Sequence, residues 1–90
     1  MHLSYILETV FSLIRMKACL LIRAEPGKKE HLAERLSEIT GVKLAFPTLG
    51  RMDVVANVEV KGLKALDDLV LKITKIDGYA RCETLIGMEI

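Results

Sequence analysis

Apolar and polar positions repeat with two different periods along this chain, and the switches between them mark its elements. KACLLIRA, residues 17–24, is rich in branched and apolar side chains and stops at Glu25-Pro26-Gly27, a turn signal. Over residues 28–39 the period lengthens: Leu32, Ala33, Leu36 and Ile39 share one helical face. Glu30 suits the positive end of that helix, and Gly41 is placed to close it. VKLAFPT, residues 42–48, returns to a strand, in which Pro47 can donate no ladder hydrogen bond and so predicts an edge or a strand end. DVVANVEV, residues 53–60, is the next strand, and a helix over residues 63–76 turns Leu66, Leu69, Val70, Ile73 and Ile76 inward. Asp77-Gly78 ends it, and YARCETLIGMEI, residues 79–90, is the last strand.

The predicted order is strand-helix-strand, twice. With short connections and right-handed crossovers, it most simply gives an α+β fold, the ferredoxin-like βαββαβ sandwich: a four-stranded antiparallel sheet ordered 4-1-3-2 with both helices on one face. Alternation then puts Val54, Ala56, Val58 and Val60 under the helices and Asp53, Val55, Asn57 and Glu59 on the open face. Cys19, Leu21, Ala45 and Leu85 are expected on that open face too, which leaves it partly apolar and in need of a cover. A second copy packed sheet against sheet would supply one. The same parity sets Cys19 and Cys82 on opposite faces, so no disulfide is expected between them, and a bridge would overturn the register.

Residues 1–15 form a separate extension. Leu3, Ile6, Leu7, Val10, Phe11 and Ile14 recur at amphipathic-helix spacing, with Ser4 as a cap. The stretch has no basic leader or small-residue cleavage site and is too short to span a bilayer, so neither a signal peptide nor a membrane helix is expected. An alternative reading starts translation at Met16, since MKACLLIR opens directly onto a strand.

Composition adds an expectation of association. Ninety residues make one domain, and 51% apolar content alongside 28% charge gives more hydrophobic surface than one small core uses. The net charge is +1 with scattered lysines and arginines, and the aromatics are only Tyr5, Phe11, Phe46 and Tyr79. Neither a phosphate-tracking stripe nor a base-stacking platform results, so direct nucleic-acid binding is disfavoured. Free thiols at Cys19 and Cys82 suit a reducing cytoplasm.

Little here could do catalysis. Ser4, Ser12, Ser37, His2 and His31 pair in no nucleophile–base arrangement, and Cys and His at zinc-ligand spacing are missing, so no enzyme, metal or cofactor is expected. Lys28 and Lys29 read as a solvated turn rather than an anion site. The hairpin tip differs. Gly50 frees backbone N–H groups to approach an anion, Arg51 adds a cation, and Asp53 offers an acceptor for an ammonium. An amino acid carries both groups on one carbon.

The ordered set of pieces resembles the effector-binding domain of the Lrp/AsnC (feast/famine) family. It runs through residues 17–90: EPG before the first helix, GV into the second strand, G-x-x-D in the hairpin, I-x-G-Y before the last strand and T-x-x-I within it. The resemblance implies a domain over residues 16–90 that dimerises through its sheets, with dimers joining into tetramers or octamers. It implies an amino-acid effector bound between subunits near the hairpin that joins the second and third strands, contacting Gly50, Arg51, Met52 and Asp53, with Thr84 as a further contact from a neighbouring chain. Met52 stands where family members often carry an aromatic, and fifteen residues ahead of the first strand cannot hold a helix-turn-helix domain. The expectation is therefore a stand-alone, non-enzymatic sensor acting on transcription indirectly, through a full-length relative. Two rivals are a ligand-indifferent co-assembly partner of such regulators and a small dimeric α/β-barrel enzyme. The first predicts an oligomer that ignores amino acids, and the second needs an interior His or Tyr facing a carboxylate.

Overall fold

Strict alternation on β1 and β3 builds the centre of the molecule. The computed structural model describes residues 16–87; the predicted amino-terminal helix and the last three residues of the chain lie outside them. Six elements follow in order: β1 (Met16–Ala24), α1 (Lys29–Ser37), β2 (Val42–Pro47), β3 (Val54–Val60), α2 (Leu63–Thr74) and β4 (Tyr79–Ile86). All sheet pairings are antiparallel and the strand order is β2-β3-β1-β4, the expected order read from the other edge. Both helices pack on one face, which makes the ferredoxin-like sandwich.

The core is one cluster beneath the helices. Ala18, Leu20 and Ile22 of β1 lie beside Val54, Ala56, Val58 and Val60 of β3, and Leu32, Leu36, Leu66, Leu69 and Ile73 close over them. Each fully buried Leu, Ile or Val contributes about 1.5–3 kcal/mol of transfer free energy. No buried polar side chain interrupts the cluster among the described residues. Stability therefore rests on apolar area, not on polar networks.

One strand departs from the expected parity. Val42 pairs with Val58 under the helices, but the register shifts between Val42 and Leu44, so that Ala45 pairs with Ala56. Ala45 was expected on the open face; it lies on the helix-covered face and packs against the core. The irregularity reverses the alternation beyond it. Leu44 and Phe46, paired with Asn57 and Val55, take the open face instead, where both are exposed. The correction makes that face more apolar. Cys19 pairs with Asn57 on the open side while Cys82 pairs with Ile22 on the covered side, and both thiols are free.

The lower turns are tied together. The Glu25 N–H donates to the Gly78 carbonyl at 2.7 Å, and Lys28 Nζ bonds Asp77 Oδ2 at 3.0 Å. That ammonium, by hydrogen bond and by charge, holds the exposed Asp77 carboxyl below its ordinary value. Gly78 adopts φ +97°, and a Cβ there would lie 2.7 Å from Lys28 Cβ. Gly78→Ala is expected to lose about 1–3 kcal/mol from backbone strain alone, and more from the clash, measured by denaturant unfolding. Loss of under 0.5 kcal/mol, roughly the scale of a neutral surface change, would refute this packing.

Candidate functional site

The hairpin between β2 and β3 is anchored at its base and open at its tip. At the base, the Thr48 N–H donates to the Asp53 carbonyl at 2.8 Å, and Thr48 Oγ1 donates to the Met52 carbonyl at 2.7 Å. Lys29, in the first turn of α1, sends Nζ to the Thr48 carbonyl at 2.9 Å. Asp53 ties the loop to β1 twice. Its N–H donates to the Ile22 carbonyl at 3.0 Å, and its Oδ2 accepts the Ala24 N–H at 2.9 Å. The carboxylate supplies an acceptor where the β3 ladder has ended, next to the irregularity at Arg23–Ala24.

Past this base, Leu49, Gly50 and Arg51 project into solvent. Gly50 has φ +128°, with open space where a Cβ would stand, so its backbone presents itself without obstruction. Met52 turns inward and lines a cleft of about 260 Å³ with Arg81, Cys82 and Glu83 of β4. Arg81 pairs with Arg23 and Glu83 with Leu21, so these charges stand at the same end of the open face as Asp53. Burial pushes the Cys82 thiol up from its ordinary value, which keeps it protonated and poorly nucleophilic at neutral pH.

The sequence-predicted residues thus divide. Gly50, Arg51, Met52 and Asp53 meet at one corner. Thr84 does not join them in the same chain: it pairs with Leu20 on the covered side of β4 and lines a separate groove against α2. Lys28 and Lys29 are spent on Asp77 and Thr48, consistent with a structural turn. Sequence reading missed Thr48 and Lys29 as loop anchors and Arg81 and Glu83 as cleft walls. The parity of β4 carried a signal for the last two, since Arg81 and Glu83 alternate with Cys82 and Thr84 on the face assigned to Leu85.

No group of three or more metal-ligating side chains gathers among the described residues, and no described helix is long and apolar enough to cross a membrane. Residues 17–90 match the Lrp/AsnC ligand binding domain. The chain belongs to the Lrp/AsnC family. That family is one of regulatory ligand-binding domains, not of enzymes. An uncharacterized HTH-type transcriptional regulator of Pyrococcus furiosus is 34% identical over 70 residues, which are 77% of this chain and 47% of that relative. This chain therefore spans about half the length of the curated relative it matches. Thermus thermophilus TTHA0845 superposes with a TM-score of 0.78 at 32% identity, covering 83% of this chain and 95% of that one. A transcriptional regulator from Neisseria meningitidis, solved in complex with L-Met, shares the fold with a TM-score of 0.74 at 16% identity, over 82% of this chain and 50% of its own. As an Lrp/AsnC ligand-binding domain, the chain is an effector-binding regulatory module.

Two outcomes test this geometry. Asp53→Ala should lose about 1–3 kcal/mol, since the Ala24 N–H is left without its acceptor, whereas Asp53→Asn, which keeps an acceptor oxygen, should lose clearly less. Equal losses in chemical denaturation would rule out the latch. The raised Cys82 thiol stabilises the fold fully below the unfolded thiol value of about 8.5, and that part is lost as pH climbs through the folded value. Alkaline unfolding curves should therefore flatten in Cys82→Ala relative to the parent chain, and unchanged curves would contradict the burial.

Proposed function

We propose that this Lrp/AsnC module is an amino-acid sensor whose ligand binds between subunits beside the β2–β3 hairpin. The observation that carries it is the concentration of opposed charges on a braced loop corner. Arg51 and the free Gly50 backbone meet a ligand carboxylate. Asp53, one oxygen given to Ala24, keeps Oδ1 for the ammonium. Arg81 and Glu83 add a second cation and anion across the cleft, with Met52 as its apolar wall. The cleft's volume of about 260 Å³ falls below the roughly 300–1,000 Å³ of pockets for drug-sized ligands, which suits a small zwitterion. The regulator of the same fold solved with L-Met supports this class of ligand.

Assembly completes the receptor. Leu44, Phe46 and Leu85 stand exposed on the open sheet face around half-buried Cys19, Leu21 and Val55. A second copy packed against that face removes them from water, and further association of dimers into a tetramer or octamer walls in the cleft. Ligand that binds one assembly better than another shifts the population by that difference alone. Transcription then responds through a full-length Lrp/AsnC regulator that co-assembles with this chain in the cytoplasm, with no direct contact to DNA.

Calorimetry with each of the twenty amino acids tests the sensor. At least one should bind, and Arg51→Ala should weaken it by about 10-fold or more, the scale of a charge-assisted hydrogen bond. Binding by none would leave the ligand-independent co-assembly role in its place. For the dimer, Phe46→Glu should shift sedimentation toward monomer; an unchanged mass would remove the sheet face as the interface.

A further inference from the structure

The helix layer stops short of one edge of the sheet. α1 packs over β2 and β3 and α2 over β3 and β4, but beside α2 the covered face of the edge strand β4 lies open. A groove of about 460 Å³ runs there between Leu63, Leu66, Val70 and Leu71 of α2 and Thr84 and Ile86 of β4. Leu63 is 60% exposed and Leu71 58%, so its apolar walls face water. Asp67 is the one charged residue that lines it.

The groove begins where residues 1–15 join the sheet. Met16 opens β1 opposite Val60, three residues before Leu63, and Ile86 pairs with Ala18, two residues inside the strand. The Gly87 N–H donates to the Lys17 carbonyl at 2.7 Å, which holds this end of β4 against the junction. The segment that arrives there carries Leu3, Ile6, Leu7, Val10, Phe11 and Ile14 at helical spacing. At the same end, the hollow on the open sheet face is walled in part by Lys17, Lys43 and Glu59, charges that an apolar helix face avoids. The groove beside α2 is the better match.

We propose that residues 1–15 seat in the α2–β4 groove of their own chain as a third helix of the covered layer, with Leu3, Leu7, Val10 and Phe11 against its walls. Leu3 to Phe11 takes the same number of helical steps as Leu63 to Leu71, about 12 Å in each case. Residues 12–15 make the return into β1, within the roughly two to six residues usual for such a loop. The helix runs antiparallel to α2, its Phe11 end at Leu63 and Ile86 and its Leu3 end at Leu71. Glu8 and Thr9 stay on the opposite side, in water. A tether this short keeps the segment at an effective concentration of about millimolar, which favours its own groove over a neighbour's. Thr84 lies on the same wall, so the seated helix withholds it from other chains. The seat needs neither the sheet-to-sheet dimer nor an amino-acid ligand.

Hydrogen exchange on the full chain, without added amino acid, tests the seat. An undocked stretch of this length holds little helix in water. Seated, the amides of residues 4–11 should exchange about 10-fold or more slower than those of an unstructured chain. Leu63→Asp and Leu71→Asp in the groove, and Leu7→Asp in the segment, should each remove that protection and leave the β1 and β3 amides as slow as in the parent. Leu7 lies outside the core, so its variant decides the matter should a groove variant disturb the fold. Phe46→Glu, on the open face, should keep the protection. Three results would overturn the proposal: residues 4–11 unprotected in the parent, protection that survives the groove variants, or protection lost in Phe46→Glu. The last would put the segment on the open sheet face or on another copy.

Discussion

A two-layer sandwich buries only one face of its sheet, and that constraint governs the rest of this molecule. The helices cover Leu20, Ile22, Val54, Ala56 and their neighbours, and they have no second side to offer. β1 and β3 nevertheless carry Cys19, Leu21 and Val55 outward, between Phe46 of β2 and Leu85 of β4. An apolar surface of this kind marks an interaction site. In the proposed assembly, association completes the burial that a single chain leaves open, and the proposed site lies between subunits.

The loop corner illustrates how stability and recognition share residues. Asp53 holds the hairpin to β1 through a side-chain bond that replaces a ladder hydrogen bond, so the residue best suited to meet an ammonium also fixes the geometry in which it would do so. Lys29 and Thr48 add bracing from the helix and from the loop itself. Such bracing keeps Gly50 and Arg51 in a defined position without burying them. A rigid loop reads a small ligand with less entropic loss than a mobile one, which is what the proposed receptor needs.

Much of this was legible in the order of residues. Helical spacing at Leu32, Leu36, Leu66, Leu69 and Ile73, strict alternation in β1 and β3, and turn residues at Glu25-Pro26-Gly27 and Asp77-Gly78 are local signals, and each element formed there, with both helices ending two residues early and the last strand ending at Ile86. From element order and crossover handedness the sheet order follows, because few topologies satisfy both. The ordered short motifs pointed to the Lrp/AsnC family, and the pairing of Gly50, Arg51 and Asp53 in one hairpin followed from their closeness in the chain.

The tertiary structure decided what depends on partners far away in sequence. The register shift in β2 exchanged Ala45 for Leu44 and Phe46 on the open face, because pairing with β3 sets where a strand slips and alternation within six residues cannot. Asp53 met the Ala24 N–H 29 residues away, and Thr84 came to rest beside α2 on the edge strand β4. Sequence spacing groups side chains by face only within an unbroken element. Which groups face each other across elements is settled only when the elements pack, since backbone donors and apolar areas must then be satisfied together.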